Sequence, residues 1–185
     1  MSKDTLKIRC GTLNICTYTN KQEEIIHIME NRNIDIMGLA ETRHKGEDSH
    51  KDLGGGFILA YCGVKEGKRK HGVAVIVGPK VSKYLQEVKL ISERLMYCVL
   101  KINNRKIIIY QVYAPQQGHS EEVKQEFLEL LEENYELNEE TITIMMGDFN
   151  SRIGKDREGI ETYMGPFGEE TLNEEGKNLR FLCKE

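Results

Sequence analysis

Residues Thr141 to Asn150 read T-I-T-I-M-M-G-D-F-N, an apolar run that stops at a glycine and then presents an acid and an amide. Ile142, Ile144 and Met146 alternate with Thr141, Thr143 and Met145, and this β-branched period-2 pattern predicts a buried strand bounded by Gly147. Asp148 and Asn150 then fall on the loop just past the strand's C-terminal end, where open α/β sheets place functional groups because the strand fixes the loop from behind. Gly, Asp and Asn are also common turn formers, so the tetrapeptide alone fits an ordinary turn as well as a functional loop.

Working back from that strand, Ser120 is the expected cap of a helix with Val123, Phe127, Leu130, Leu131 and Tyr135 at helical spacing. Before it, Phe57 to Tyr61, Val73 to Val77, Leu95 to Ile102 and Lys106 to Tyr113 read as a meander, punctuated by Gly54-Gly55-Gly56, Gly78-Pro79 and Asn103-Asn104. Asn103-Asn104 between two apolar runs predicts a hairpin, and Ala114-Pro115 stops the strand that precedes it. At the start, Leu6, Ile8 and Cys10 alternate with Lys7 and Arg9, giving a strand with Asn14 at its exit. Asn20, with Glu23 three residues on, is the expected N-cap of a helix carrying Ile25, Ile26, Ile28 and Met29 and ending near Asn31-Arg32-Asn33. The next strand, Ile34 to Ala40, delivers Glu41 at its end. Two carboxylates and two amides are thus expected at strand exits.

The 185 residues, 39% of them hydrophobic and 30% charged, suffice for one core, and residues 1–185 are read as a single domain. No apolar run approaches the roughly 18 residues that span a bilayer, and Met1-Ser2-Lys3-Asp4 does not open a signal peptide, so an intracellular protein with no membrane partner is expected. Five cysteines, none in a C-x-x-C pair, argue against a disulfide framework or a zinc ribbon and read as buried reduced thiols. A formal net charge of −4 lacks the basic footprint of a protein that holds nucleic acid by charge alone, so any polyanion must be met locally. Lys65, Lys68, Arg69, Lys70 and His71 read as a solvated hairpin loop, and no glycine-lysine pair is followed by Ser or Thr as a P-loop requires. His44, Asp48 and His50 read as scattered residues of a polar loop rather than a metal site.

Taken together, G-T-L-N (Gly11 to Asn14), A-E-T-R (Ala40 to Arg43), H-G-V (His71 to Val73), V-Y-A-P (Val112 to Pro115) and G-D-F-N (Gly147 to Asn150) resemble, in order and spacing, the endonuclease/exonuclease/phosphatase superfamily. The tail G-P-F-G-E-E-T-L-N-E-E-G-K-N-L-R-F-L-C (Gly165 to Cys183), with S-R-I-G after G-D-F-N, narrows the likeness. It is similar to the apurinic-type endonuclease domain of non-LTR (LINE, RTE-type) retrotransposons and of craniofacial development protein 2-like proteins. The resemblance covers essentially the whole chain.

That resemblance implies an α/β fold, a four-layer αββα sandwich, and a Mg²⁺- or Mn²⁺-dependent phosphodiesterase that nicks DNA. Residue by residue, it implies Glu41 as metal ligand with Asn14 orienting it or binding the ion. Asp148 matches the group that positions or deprotonates the attacking water or protonates the leaving oxygen. Asn150 holds a non-bridging phosphate oxygen, and Tyr113 donates its phenol to the same phosphate. Cys16 and Thr17 stand where many relatives carry an acid or glycine. The family's later segment, with an Asp and then a Ser-Asp-His signature, has no counterpart here, and none of His27, His44, His50, His71 or His119 lies in such a context. The expectation is therefore an incomplete sandwich with an open strand edge, weak DNA binding and impaired activity, completed by a partner or by self-association. An inactive interaction module and a phosphatase acting on small phosphates or lipids are the alternatives. A nuclear rather than cytoplasmic location goes with the first reading.

Overall fold

A computed structural model of the protein describes residues 6–136, 138 and 140–183, so the Met1–Asp4 start lies outside the described residues. Strand pairing sorts the chain into two sheets. The first holds β1 (Cys10–Asn14), β2 (Ile36–Ala40), β3 (Glu47–Asp52), β4 (Ile58–Cys62) and β5 (Val73–Val77) in the order β1-β2-β5-β4-β3. The second holds β6 (Leu85–Ser92), β7 (Leu95–Ile102), β8 (Arg105–Tyr113) and β9 (Thr141–Asp148) in the order β6-β7-β8-β9. β1 runs parallel to β2 and β8 parallel to β9, each pair joined through a helix, as a parallel crossover requires. Those helices are α1 (Gln22–Asn31) and α3 (Glu121–Asn134); α2 (Pro79–Ser82) and α4 (Glu174–Leu182) complete the set.

Three apolar layers hold this together. Ile36, Ala40, Val73, Val75 and Val77 of the first sheet meet Met96, Cys98, Leu100, Ile109 and Met146 of the second. On the outer face of the first sheet, Ile25 and Met29 of α1 cover Met37, Leu39, Leu59 and Ile76. On the outer face of the second, Phe127 and Leu131 of α3 cover Leu95, Ile108, Tyr110 and Val112. The result is helix, sheet, sheet, helix, the α/β sandwich that the sequence led us to expect. Because β2 and β5 are covered on both faces, all their residues are buried and their apolar runs show no polar alternation.

Several sequence-based expectations change. The meander is split: after β5 the chain crosses through α2 into the other sheet. β9 is an edge strand, only partly buried, with Ile142 43% exposed, because β8 flanks it on one side alone among the described residues. Nor does the strand stop at Gly147; the ladder continues through Val112 to Gly147 and Tyr113 to Asp148. Gly147 is there because its φ is +143° and a Cβ would lie 2.0 Å from the Val112 carbonyl oxygen. Asn20 does not cap α1. It adopts a left-handed φ of 61°, the cap position belongs to Lys21, and the Lys21 ammonium donates to the Ile15 carbonyl (2.7 Å). His44, Asp48 and His50 do not share one loop, since Asp48 and His50 lie on β3, an exposed and highly charged strand. The thiols are mixed: Cys62 and Cys98 are buried, and burial pushes them up to about 11 and about 12, whereas Cys16 and Cys183 are exposed. Asn103 and Asn104 do form the predicted hairpin, both with positive φ. No helix among the described residues is long and apolar enough to cross a membrane.

Candidate active site

Parallel pairing brings the ends of β1 and β2 to one end of the first sheet, and those of β8 and β9 to the same end of the second. Asn14 closes β1 opposite Ala40, the residue before Glu41; Asp148 closes β9 opposite Tyr113, the last residue of β8. The five residues singled out from the sequence, Asn14, Glu41, Tyr113, Asp148 and Asn150, therefore gather where the two sheets meet.

Their hydrogen bonds are specific. The Asn14 side-chain amide donates to Glu41 Oε1 (2.8 Å) and to Asp148 Oδ2 (3.0 Å), bridging the carboxylates across the sandwich. Its carbonyl oxygen accepts from the Cys16 N–H at 3.2 Å, which holds the amide in that orientation. Asp148 Oδ1 accepts from the Asn150 N–H (3.0 Å), while Asn150 donates its side-chain amide to the Ala114 carbonyl (2.7 Å). The other Glu41 oxygen lies 3.6 Å from the Arg43 guanidinium, the pairing expected of two charges near a surface.

Tyr113 is 4% exposed, and burial, with the Glu41 carboxylate beside it, raises its phenol pKa, so it stays a proton donor at neutral pH. Three side chains not assigned to the site from the sequence stand around it. The Arg94 guanidinium lies 5.3 Å from the Tyr113 ring centre and donates to the Tyr113 carbonyl (3.2 Å). It also lies 3.3 Å from His71 Nδ1. Burial and then the Arg94 charge lower the His71 pKa, favouring the neutral ring. His119 packs next to it, ring centres 6.3 Å apart. His71 was legible in H-G-V and as the end of the basic loop Lys65 to Lys70; Arg94, in the turn before β7, carried no sequence signal.

The donor set suits a small hard cation. Mg²⁺ takes oxygen ligands and commonly only one or two protein carboxylates, which is what Glu41 and Asp148 offer around the Asn14 amide. Among the described residues no group of three or more His, Cys, Asp and Glu gathers as a closed metal site. His44, once set beside Asp48 and His50, stacks instead on Tyr61 with ring centres 4.2 Å apart.

No protein-family model matches the chain. Craniofacial development protein 2 of Bos taurus is 28% identical over 197 residues, a match covering 99% of this chain and 32% of that protein. The chain thus spans about a third of the length of the curated relatives it matches. An AP endonuclease from Archaeoglobus fulgidus superposes with a TM-score of 0.61 at 16% identity, covering 96% of this chain and 70% of that one. The endonuclease domain of TRAS1, a telomere-specific non-LTR retrotransposon, gives 0.62 at 14% identity, covering 96% and 71%. An AP endonuclease and a retrotransposon endonuclease domain thus share one architecture with this chain, a two-sheet α/β sandwich.

Proposed function

We propose that the end of the sandwich formed by Asn14, Glu41, Tyr113, Asp148 and Asn150 is a divalent-metal phosphodiesterase site that nicks DNA. The observation that carries this reading is the Asn14 amide held between Glu41 and Asp148, which fixes two carboxylates from opposite sheets around one point. Glu41 would hold Mg²⁺ or Mn²⁺, with Asn14 orienting its carboxylate through the side-chain N–H, and the bound ion would supply Lewis-acid stabilisation of phosphate charge. Tyr113, protonated and rigidly packed, donates to a phosphate oxygen. Asp148, with each oxygen already accepting one bond, is aimed to orient or deprotonate a water or to return a proton to the leaving oxygen. Asn150 keeps one amide hydrogen beyond its bond to Ala114 and offers it to a non-bridging oxygen. Together these groups act chiefly by electrostatic preorganisation.

In this reading the chain alone is slow and binds DNA weakly. Support comes from the pairing of β9 on one side alone among the described residues. A partner or a second copy that covers that edge would complete the site, and action in the nucleus fits a DNA substrate. One observation favours a non-catalytic interaction module instead: Arg43 already neutralises the Glu41 oxygen that a metal would use. Metal titration with a supercoiled-plasmid nicking assay separates the two. Slow nicking that requires Mg²⁺ or Mn²⁺ and vanishes in Glu41→Ala supports the enzyme; metal-independent or absent cleavage with no ion bound at Glu41 supports the module.

A further inference from the structure

Next to Glu41, and lined by its ion-pair partner Arg43, lies a concavity of about 230 Å³. Its floor is Tyr18, Thr42 and His44; its rim is Arg43, Lys45 and Arg69, all three exposed. The His44 ring is held between Tyr18 and Tyr61, with ring centres 4.7 Å and 4.2 Å away. Two polar atoms of this floor, Tyr18 Oη and His44 Nδ1, are buried with no hydrogen-bond partner among the described residues, and Tyr18 is only 8% exposed. Among the described residues neither Lys45 nor Arg69 has a carboxylate within ion-pair distance, and the ion-pair partner of Arg43 is Glu41.

An orphaned buried hydroxyl, an orphaned ring nitrogen and a rim of cations are each unfavourable alone, and one kind of ligand satisfies all three. A tetrahedral oxyanion accepts from the Tyr18 hydroxyl and from a ring N–H while its charge meets the rim. Burial, with the charges of Lys51 and Arg69, holds the His44 pKa down at about 4, so the ring is neutral and carries one N–H to place on Nδ1. Arg43 lines this pocket and also pairs with Glu41, so the pocket adjoins the carboxylate end of the sandwich.

We propose that this pocket is a phosphate subsite, and that it takes a backbone phosphate of the nucleic-acid strand whose neighbouring phosphate lies at Glu41 and Asp148. The strand assignment rests on the nuclease reading above; the affinity for phosphate does not.

The test uses the full chain in EDTA, so that no metal-dependent step contributes. Inorganic phosphate is titrated while the His44 ring ¹⁵N and Tyr18 ring signals are followed. Binding of a short DNA duplex is measured against salt for the wild type, Lys45→Ala, Arg69→Ala and Tyr18→Phe. We expect phosphate to shift both rings, and each cation substitution to weaken duplex binding several-fold and flatten the log–log salt slope by about 0.9. Tyr18→Phe, which removes a neutral donor, should weaken binding with the slope unchanged. Phosphate shifts without any effect of Lys45→Ala or Arg69→Ala on DNA would overturn the strand assignment in favour of a free phosphate ligand. No ring shift and unchanged salt slopes would overturn the subsite altogether. Glu41→Gln keeps the two readings apart: if the metal site fails, nicking and Mn²⁺ binding are absent while the Lys45 and Arg69 effects persist.

Discussion

Asn14 and Asp148, 134 positions apart, are joined by a 3.0 Å hydrogen bond that ties the end of β1 in one sheet to the end of β9 in the other. The same amide reaches Glu41, so one side chain sets the separation of the two carboxylates on which the proposed chemistry depends.

Replacing Asn14 by Ala removes the donor between two carboxylates and leaves their like charges facing each other. We expect a loss of about 1–3 kcal/mol in stability without metal, partly restored by Mn²⁺, which would neutralise both. Thermal melts with and without Mn²⁺ measure this; identical shifts in both conditions would mean that no ion enters between them.

Glu41→Gln and Asp148→Asn keep shape while removing charge. Any metal-dependent nicking should fall by about 10²–10³ in each, with little change in melting temperature. Paramagnetic broadening by Mn²⁺ near Asn14 and Asp148 should also disappear in Glu41→Gln.

His44 titrates at about 4 in the folded chain because burial, Lys51 and Arg69 oppose its charge, whereas in the unfolded chain it titrates near the ordinary 6.5. Between those values the unfolded state binds more protons, so stability is fully present above pH 6.5 and falls as pH drops toward 4. The loss is on the order of 1–3 kcal/mol after screening by solvent. Urea melts across that window should show the slope in the wild type and a flatter one in His44→Phe.

Gly147→Ala places a methyl group against the Val112 carbonyl and forces a side chain onto a φ of +143°. We expect a loss of more than about 2 kcal/mol and displacement of Asp148, read as a lowered melting temperature together with loss of any Mn²⁺ effect at Asp148. A variant that melts like the wild type would show that the ladder there is not needed.

The edge of β9 that has no strand beside it among the described residues, with Ile142 43% exposed, offers unpaired backbone to another chain. Self-association or apolar-dye binding is the expected behaviour of the wild type, and Ile142→Lys should reduce it. Sedimentation at several concentrations decides; a monodisperse monomer with a sharp melt would remove the expectation.

What the sequence determined alone was whatever rests on neighbours in the chain. Val73–Val77 and Leu95–Ile102 were legible to the residue because apolar content and flanking turn formers are local properties, and Asn103-Asn104 because positive φ is a property of the residue itself. Asn14, Glu41, Tyr113, Asp148 and Asn150 could be singled out because motifs at strand exits keep their spacing. The tertiary structure alone decided which sheet each strand joins, and so that β9 is an edge and that the strands of the apparent meander face each other. It also made strands of β3 and β6, whose charged residues carry no clear apolar alternation and whose state comes from pairing with β4 and β7. Arg94 and His71 around Tyr113, and Tyr18 with His44 and Arg69 around the second pocket, lie far apart along the chain. Their proximity follows from how the sheets pack and their connecting loops meet, and hydrophobic burial, which drives that packing, has no direction until the whole core closes.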